Sequence, residues 1–387
     1  MSRWIAVTAL GVASFAIVTT ELAPIGMLTP MAADLGRSTS SMGLVVSLYA
    51  WVGALAAVLS ATVLSRLPRR TLLVGLMVLL AGSAAASGLA QNFGALLVAR
   101  LAGALAHGAF WAFIGSLAAQ LVPERQIGRA TAIIFGGVSA ASVFGVPLAN
   151  YLEAVADWRS AFYGVAALAL LVAAALRTTL PALPGQAPIR LRTLGQILIA
   201  PHYRCIFATA ILVITAHFMA FTYLEPFLRA ASLSPTMLAA LLLVFGAAGL
   251  LANVLCGAWI DRHLKRFVIG AACVSSVALL TLALPGLGDL PLVIAGLLAA
   301  WGGAISVMLV GLQTWVIREA KDEALPASAI YVALFNVAIG LGSFVGGAVL
   351  AETGMSGLLA SAGLVTATGL LVLAIRDRRF VAEPETQ

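Results

Sequence analysis

The chain reads as long apolar runs separated by short polar or Pro/Gly-bearing turns. A helix that crosses a bilayer needs about 20 mostly apolar residues. Twelve runs reach that length: 4–28, 41–64, 71–90, 94–120, 129–151, 159–180, 204–229, 235–259, 266–284, 291–316, 326–350 and 355–375. The first, behind Arg3, has the pattern of a secretory leader, but many more apolar runs follow, so it is read as an uncleaved first helix. The longest interval, 181–203, holds Pro181, Pro184, Gly185, Pro188, Arg190, Arg192 and Pro201. It predicts a cytoplasmic linker between a bundle of six helices at 1–180 and a second at 204–387, which ends in a short tail. The predicted fold is an all-α membrane protein of 12 transmembrane helices, with no soluble domain appended.

Composition narrows the class. Of 387 residues, 62% are hydrophobic and 10% charged, whereas soluble proteins carry roughly 25% charged residues. So much apolar surface needs lipid to face. The formal net charge of +7 would suit nucleic acid, but its placement follows topology instead. With the N-terminus inside, every one of the 22 Lys and Arg lies in an inside segment except four. Arg37, Arg159 and Arg229 fall outside, and Arg100 falls within the fourth run. Cytoplasmic loops collect Lys and Arg, and one missed span would invert every later loop. The bias therefore supports a multi-pass membrane protein with both termini cytoplasmic, and it argues against nucleic-acid binding. Cys205, Cys256 and Cys273 lie in apolar stretches at no metal-ligand spacing and read as buried small hydrophobes. No phosphate-binding loop and no nucleophile–base pair appears, so neither ATP-driven transport nor an enzyme is indicated, and no cofactor is implied.

The two halves repeat one another. Ala61, three residues, Ser65-Arg66, two residues, Arg69-Arg70 follows the second run; Gly257, three residues, Asp261-Arg262, two residues, Lys265-Arg266 follows the eighth. Glu21 with Pro24 ends the first run, and Glu225-Pro226 ends the seventh. The fifth run carries Gly136, Gly137, Gly145 and Pro147; the eleventh carries Gly340, Gly342, Gly346 and Gly347. Duplicated halves of this kind build many secondary transporters, with the substrate site near mid-membrane.

The loop Gly257 to Arg266 resembles the signature loop of the major facilitator superfamily, and Ala61 to Arg70, with Arg66, Arg69 and Arg70, is its degenerate copy, with Ser65 in place of the usual Asp. Thr19–Gly26, Leu48–Val52, Ala106–Trp111, Thr215–His217, Tyr223–Phe227 and Leu334–Val337 resemble that family's bacterial drug:proton antiporter branch, most closely its exporters of arabinose-like sugars and thiogalactosides. Multidrug, purine-nucleoside and chloramphenicol exporters share much of the pattern. The resemblance implies two pseudo-symmetric six-helix bundles around a cavity, opening alternately to the two sides. It also implies export to the periplasm against inward proton movement, by a monomer. Gly136, Gly145 and Pro147 resemble the branch's antiporter helix, with Ala149-Asn150 where glycines are usual.

An ionisable group inside hydrocarbon costs about 2.5–3.5 kcal/mol on lenient scales, so each one needs a reason. Glu21 and Glu225 belong near the outer ends of their helices and are candidates to carry a proton; the alternative is a carboxylate satisfied at the water interface. Arg100 and His107 are seven apart on one helix face, continued by Trp111. They read as fixed charge and titratable group, or as structural hydrogen bonds between helices. The stretch Arg100–Gly103 also resembles a helix motif of the branch whose Arg is associated with proton coupling. His217 and Glu225, with Phe221 between them, are expected along one face of the seventh helix. Trp51, Trp111, Tyr223, Gln313 and Asn336 complete a candidate substrate set with His107, His217 and Phe221, since sugars are held between aromatic faces and polar groups. Trp4, Trp158, Trp259 and Trp315 read as interfacial belt or loop residues. A non-transporting sensor built on the same fold is the competing reading from a different class.

Overall fold

The computed structural model describes residues 2–114, 117–185, 191–231, 233–257, 260–287, 290–320 and 324–381, and among these the regular structure is helical throughout. Ten apolar helices are long enough to cross a bilayer: α1 (Arg3–Asp34), α2 (Thr39–Val63), α3 (Arg69–Gly88), α4 (Phe93–Ile114), α5 (Arg129–Val155), α6 (Trp158–Thr179), α7 (Arg204–Ala230), α8 (Pro235–Leu255), α9 (Leu264–Leu282) and α10 (Pro291–Ala320). One further run, Pro326–Leu373, has 48 residues. At 1.5 Å per residue it would extend about 70 Å, more than twice the hydrocarbon thickness. Gly354 interrupts it with φ 70° and ψ −172°, a conformation reserved for glycine. Both parts lie along α7, Gly342 against Thr215 and Gly369 against Val213, so the chain turns back at Gly354. The run is therefore α11 (326–353) and α12 (355–373), and the twelve predicted spans are present.

The boundaries differ from expectation in places. α1 continues to Asp34, through a 3₁₀ turn at Ala23–Met27 that contains Pro24. α4 ends at Ile114, and a short helix, Leu117–Leu121, follows. The proline-bearing linker holds an amphipathic helix, Leu191–Ile199, with Leu194 and Ile197 buried. Cys205 is half-buried and Cys273 exposed: an apolar helix in lipid presents cysteines outward as readily as inward. Trp158 and Trp315 are buried, so packing holds them rather than an interfacial belt. Trp259 lies outside the described residues.

Spatial grouping gives two compact units. The first comprises 1–190 together with Leu224–Arg229 and Leu233–Leu243; the second comprises Leu191–Tyr223, Ala230–Ser232 and the chain from Val244 onward. The main division falls between Arg190 and Leu191, while the end of α7 and the start of α8 belong to the first unit.

Each unit is built on the same three helix pairings, and each pairing is made close by a glycine. In the first unit, Gly137 of α5 packs on the Gly11 carbonyl of α1, Gly108 of α4 on the Gly53 carbonyl of α2, and Gly88 of α3 on the Tyr163 ring of α6. In the second unit, Gly342 of α11 packs on the Thr215 carbonyl of α7, Gly302 of α10 on the Phe245 carbonyl of α8, and Gly363 of α12 on Leu280 of α9. Small residues are how membrane helices approach, because lipid supplies no hydrophobic force to press them together. The core of the first unit runs along α1, where Ala6, Val7, Leu10, Ala13, Ala16 and Ile17 are all fully buried. Leu55, Leu59, Val63, Leu171, Val254 and Leu255 are exposed large apolar residues, as lipid-facing surfaces require.

Candidate functional site

The first unit encloses a cluster of ionisable groups at the place where α1 breaks. Helix hydrogen bonding ends near Leu22 because Pro24 in the following 3₁₀ turn has no N–H to donate. The last carbonyls of that helical segment are left without intrahelical partners. Arg100, 2% exposed on α4, takes them: its Nη1 donates to the Thr20 carbonyl at 3.0 Å, its Nη2 to the Glu21 carbonyl at 3.4 Å, and its Nε to the Val45 carbonyl of α2 at 3.4 Å. The guanidinium also lies over the Tyr49 ring at 4.4 Å. A positive charge at a helix C-terminus is favourable. On the far side of the break, Asn150 of α5 donates from Nδ2 to the Gly26 carbonyl at 2.7 Å.

Arg100 thus grips the backbone of Glu21 and leaves its carboxyl group free. Glu21 is 7% exposed, and its Oε1 has no hydrogen-bond partner. The nearest basic side chain is His107, with Nε2 at 3.8 Å from Glu21 Oε2. The imidazole Nδ1 is buried and unpaired. At an effective dielectric of 20, unit charges at 3.8 Å attract by about 4 kcal/mol, so the protonation of one group is coupled to that of the other. Tyr49 packs edge-on against His107 at 5.5 Å between ring centroids and donates to the Gly103 carbonyl; Trp111 also meets the imidazole edge-on, at 6.2 Å.

The predicted residues Glu21, Arg100, His107 and Trp111 are brought together, and Trp51 is half-buried on α2. Gly145 packs on Thr19 beside the α1 break, Pro147 is buried, and a π-bulge spans Ala141–Gly145 of α5. At Gly136 no heavy atom lies within 4 Å of where a Cβ would stand.

Glu225 occupies a different setting. α7 is interrupted at Thr222 and Tyr223, and Pro226 sits in the first turn of the next helical segment, Leu224–Ala230, where its missing N–H is tolerated. The expected continuous face from His217 to Glu225 is therefore broken, and the two residues belong to different units. Within the first unit Glu225 is fully buried and its carboxylate is well supplied with donors. Thr29 donates to Oε2 through its N–H at 2.9 Å and its hydroxyl at 2.8 Å, and Arg229 Nε donates to Oε1. Arg229 also bridges to Glu153 at 2.9 Å. Sequence reading missed Thr29, Glu153 and Arg229 as members of this group.

In the second unit His217 is the centre of a ring cluster. It stacks on Phe221 at 5.0 Å and meets Trp301 edge-on at 5.4 Å; Phe245 stacks on Phe221 at 5.0 Å and meets Trp301 at 5.0 Å. His217 Nδ1 and Trp301 Nε1 are buried without partners. Tyr223 donates to the Ser343 carbonyl, Gln313 Nε2 to Ser328, and Asn336 Nδ2 to the Val332 carbonyl with its Oδ1 unpaired. Phe245 was not anticipated, because a phenylalanine in an apolar run carries no signal beyond core packing. Of the signature-loop residues, Arg66 is exposed, Arg69 buried, Arg70 half-buried and Arg266 exposed. The side chains of Asp261 and Arg262, with Gly257, lie outside the described residues. Among the described residues no group of three or more His, Cys, Asp or Glu is placed to hold a metal ion.

Comparison with known proteins places this geometry in context. The family described as Major Facilitator Superfamily matches residues 8–325 and, in a second alignment, 206–387. A bacterial homologue of the human lysosomal transporter Spinster, in an inward-facing and occupied conformation, superposes with a TM-score of 0.74 at 15% identity, covering 96% of both chains. A POT family transporter in complex with 5-aminolevulinic acid gives a TM-score of 0.79 at 11% identity over 97% of this chain and 96% of that one.

Proposed function

This chain belongs to the major facilitator superfamily, membrane transporters rather than enzymes, and on that footing we propose that it exports a neutral small solute of the sugar class in exchange for protons. The solute leaves the cytoplasm and protons enter, as sites on the chain open alternately to the two sides of the bacterial inner membrane. The observation that carries the reading is the Glu21 carboxyl, buried, unpaired at Oε1 and 3.8 Å from an imidazole. Arg100 spends its donors on carbonyls, so it supplies a fixed charge beside Glu21 without neutralising it through a salt bridge. Glu21 and His107 then hold and release the coupling proton. Because the break in α1 is formed by the residues next to Glu21, a change of proton occupancy acts where the helix is already weak. Such a change shifts a conformational equilibrium only through differential affinity for the two states.

The solute reading rests on the second unit. Among its described residues no Asp, Glu, Lys or Arg is buried, which favours an uncharged solute. His217 and Trp301 offer unspent polar atoms beside Phe221 and Phe245, the combination that grips a sugar ring by its apolar face and its hydroxyls. The near-parallel rings of His217 and Phe221, at 18°, also suit a planar nucleoside or chloramphenicol-like drug, the second reading. The test is proton movement in proteoliposomes holding a pH dye, on addition of arabinose, a thiogalactoside, a purine nucleoside and chloramphenicol in turn. A sugar-specific signal lost in His107→Ala supports the proposal. A signal from another compound alone moves the solute class, and binding without any proton signal contradicts coupling and favours a sensor.

A further inference from the structure

Arg69 opens α3 and is 1% exposed, yet its Nε and Nη1 have no hydrogen-bond partner. Among the described residues it forms no ion pair. Its guanidinium lies over the Phe113 ring at 4.5 Å. A π-face attracts the charge but leaves the in-plane N–H groups unspent. Ser65, four residues earlier, is 3% exposed, and its Oγ also has no partner. The linker closes over this loop: the Leu183 carbonyl accepts from the Arg69 N–H at 2.9 Å, and Gly185 packs directly on the Arg66 backbone.

Between Asp34 and Glu124, whose side chain lies outside the described residues, the sequence holds no Asp or Glu, and there is none between Asp157 and Glu225, an interval that includes the linker. In the second copy of the repeat, Asp261 stands where Ser65 stands. A buried guanidinium without a counter-charge is costly, and its forked donors match an oxyanion. The first turn of α3, 20 residues long, adds its dipole in the same sense. Arg66 and Arg70 flank the loop and raise the local positive potential.

We propose that Ser65 and Arg69 form an oxyanion site that takes a phosphoryl group, carried by an anionic lipid headgroup or by free phosphate. The site is independent of Glu21 and His107. It is tested on the purified full-length protein by following thermal unfolding against dioleoylphosphatidylglycerol, dioleoylphosphatidylcholine and inorganic phosphate at constant ionic strength. The expected result is a saturable rise in unfolding temperature for the wild type. Ser65→Asp, which places a carboxylate beside Arg69 as the second copy does, raises the half-saturating concentration at least tenfold, and Arg69→Gln does the same. Where Arg69→Gln does not fold, Ser65→Asp carries the test alone. A response to phosphatidylglycerol but not to phosphate identifies a lipid occupant; a response to phosphate as well identifies the free ion. No response to either, or a response unchanged in Ser65→Asp, overturns the proposal.

Discussion

Two adjacent glycines of α5 are expected to respond in opposite directions to the same added methyl group. At Gly137 a Cβ would overlap the Gly11 carbonyl oxygen and stand 2.9 Å from both the Gly11 carbonyl carbon and the Phe15 nitrogen. These are backbone atoms of α1, so no rotamer change relieves the clash and the two helices must separate. Overpacking of this kind costs about 1–3 kcal/mol. At Gly136 nothing lies within 4 Å, so Gly136→Ala removes only the entropic penalty of a helical glycine and stabilises by about 0.5–1 kcal/mol. The pair should therefore differ by about 1.5–4 kcal/mol, or roughly tenfold to several hundredfold in the unfolding equilibrium. Thermal unfolding of the purified variants in one detergent, followed by tryptophan fluorescence, reads the sign directly. Equal shifts for the two variants, or a Gly137→Ala protein as stable as the wild type, would refute the α1–α5 contact and with it the placement of Glu21 against α4.

Other substitutions probe the remaining contacts. Arg100→Lys keeps the charge but loses the fork that caps Thr20, Glu21 and Val45; it should cost about 1–3 kcal/mol, measured by the same unfolding assay, and a silent variant would contradict the capping role. Arg229→Ala leaves Glu225 with Thr29 alone. The cost should be about 2–3 kcal/mol, less than for a fully enclosed pair because the Arg229 side chain is 35% exposed, and a double-mutant cycle with Glu153→Ala should show coupling. Asp157 caps α6 by accepting from the Ser160 N–H at 2.8 Å and hydroxyl at 2.7 Å, which holds its carboxyl below the ordinary value. That contribution is present above the unfolded-state value and is lost as pH falls through the folded-state value. Asp157→Ala should therefore cost about 1 kcal/mol at neutral pH, and the gap should close in acid; a gap that persists at low pH would exclude the charged cap.

Much of the fold was legible because a bilayer forces its length on the sequence: the twelve runs and the repeated Glu-Pro ends could be counted directly. The face shared by Arg100, His107 and Trp111 was legible from their spacing on one helix. What could not be read was contact across sequence distance. Thr29 and Glu225 are 196 residues apart, and Arg229 and Glu153 are 76 apart. Nor does the sequence distinguish Gly136, which faces open space, from Gly137, which touches α1. The same limit hid the partners of Arg100: its type and position left a fixed charge and structural hydrogen bonds between helices both open, and its donors go to carbonyls exposed by the break in α1 and to Val45 of α2. The linker helix carried a signal, with Leu191, Leu194 and Ile197 at a three-residue spacing, but the surrounding prolines outweighed it.

The central claim, that Glu21 carries the coupling proton, is tested most directly by Glu21→Gln in proteoliposomes. The measurement is radiolabelled solute movement by counterflow, which needs only exchange, beside accumulation driven by an imposed pH gradient, using the compound that gives the wild-type proton signal. The account predicts that counterflow survives while gradient-driven accumulation and the dye signal are lost. Gradient-driven transport retained at the wild-type level in Glu21→Gln would contradict it.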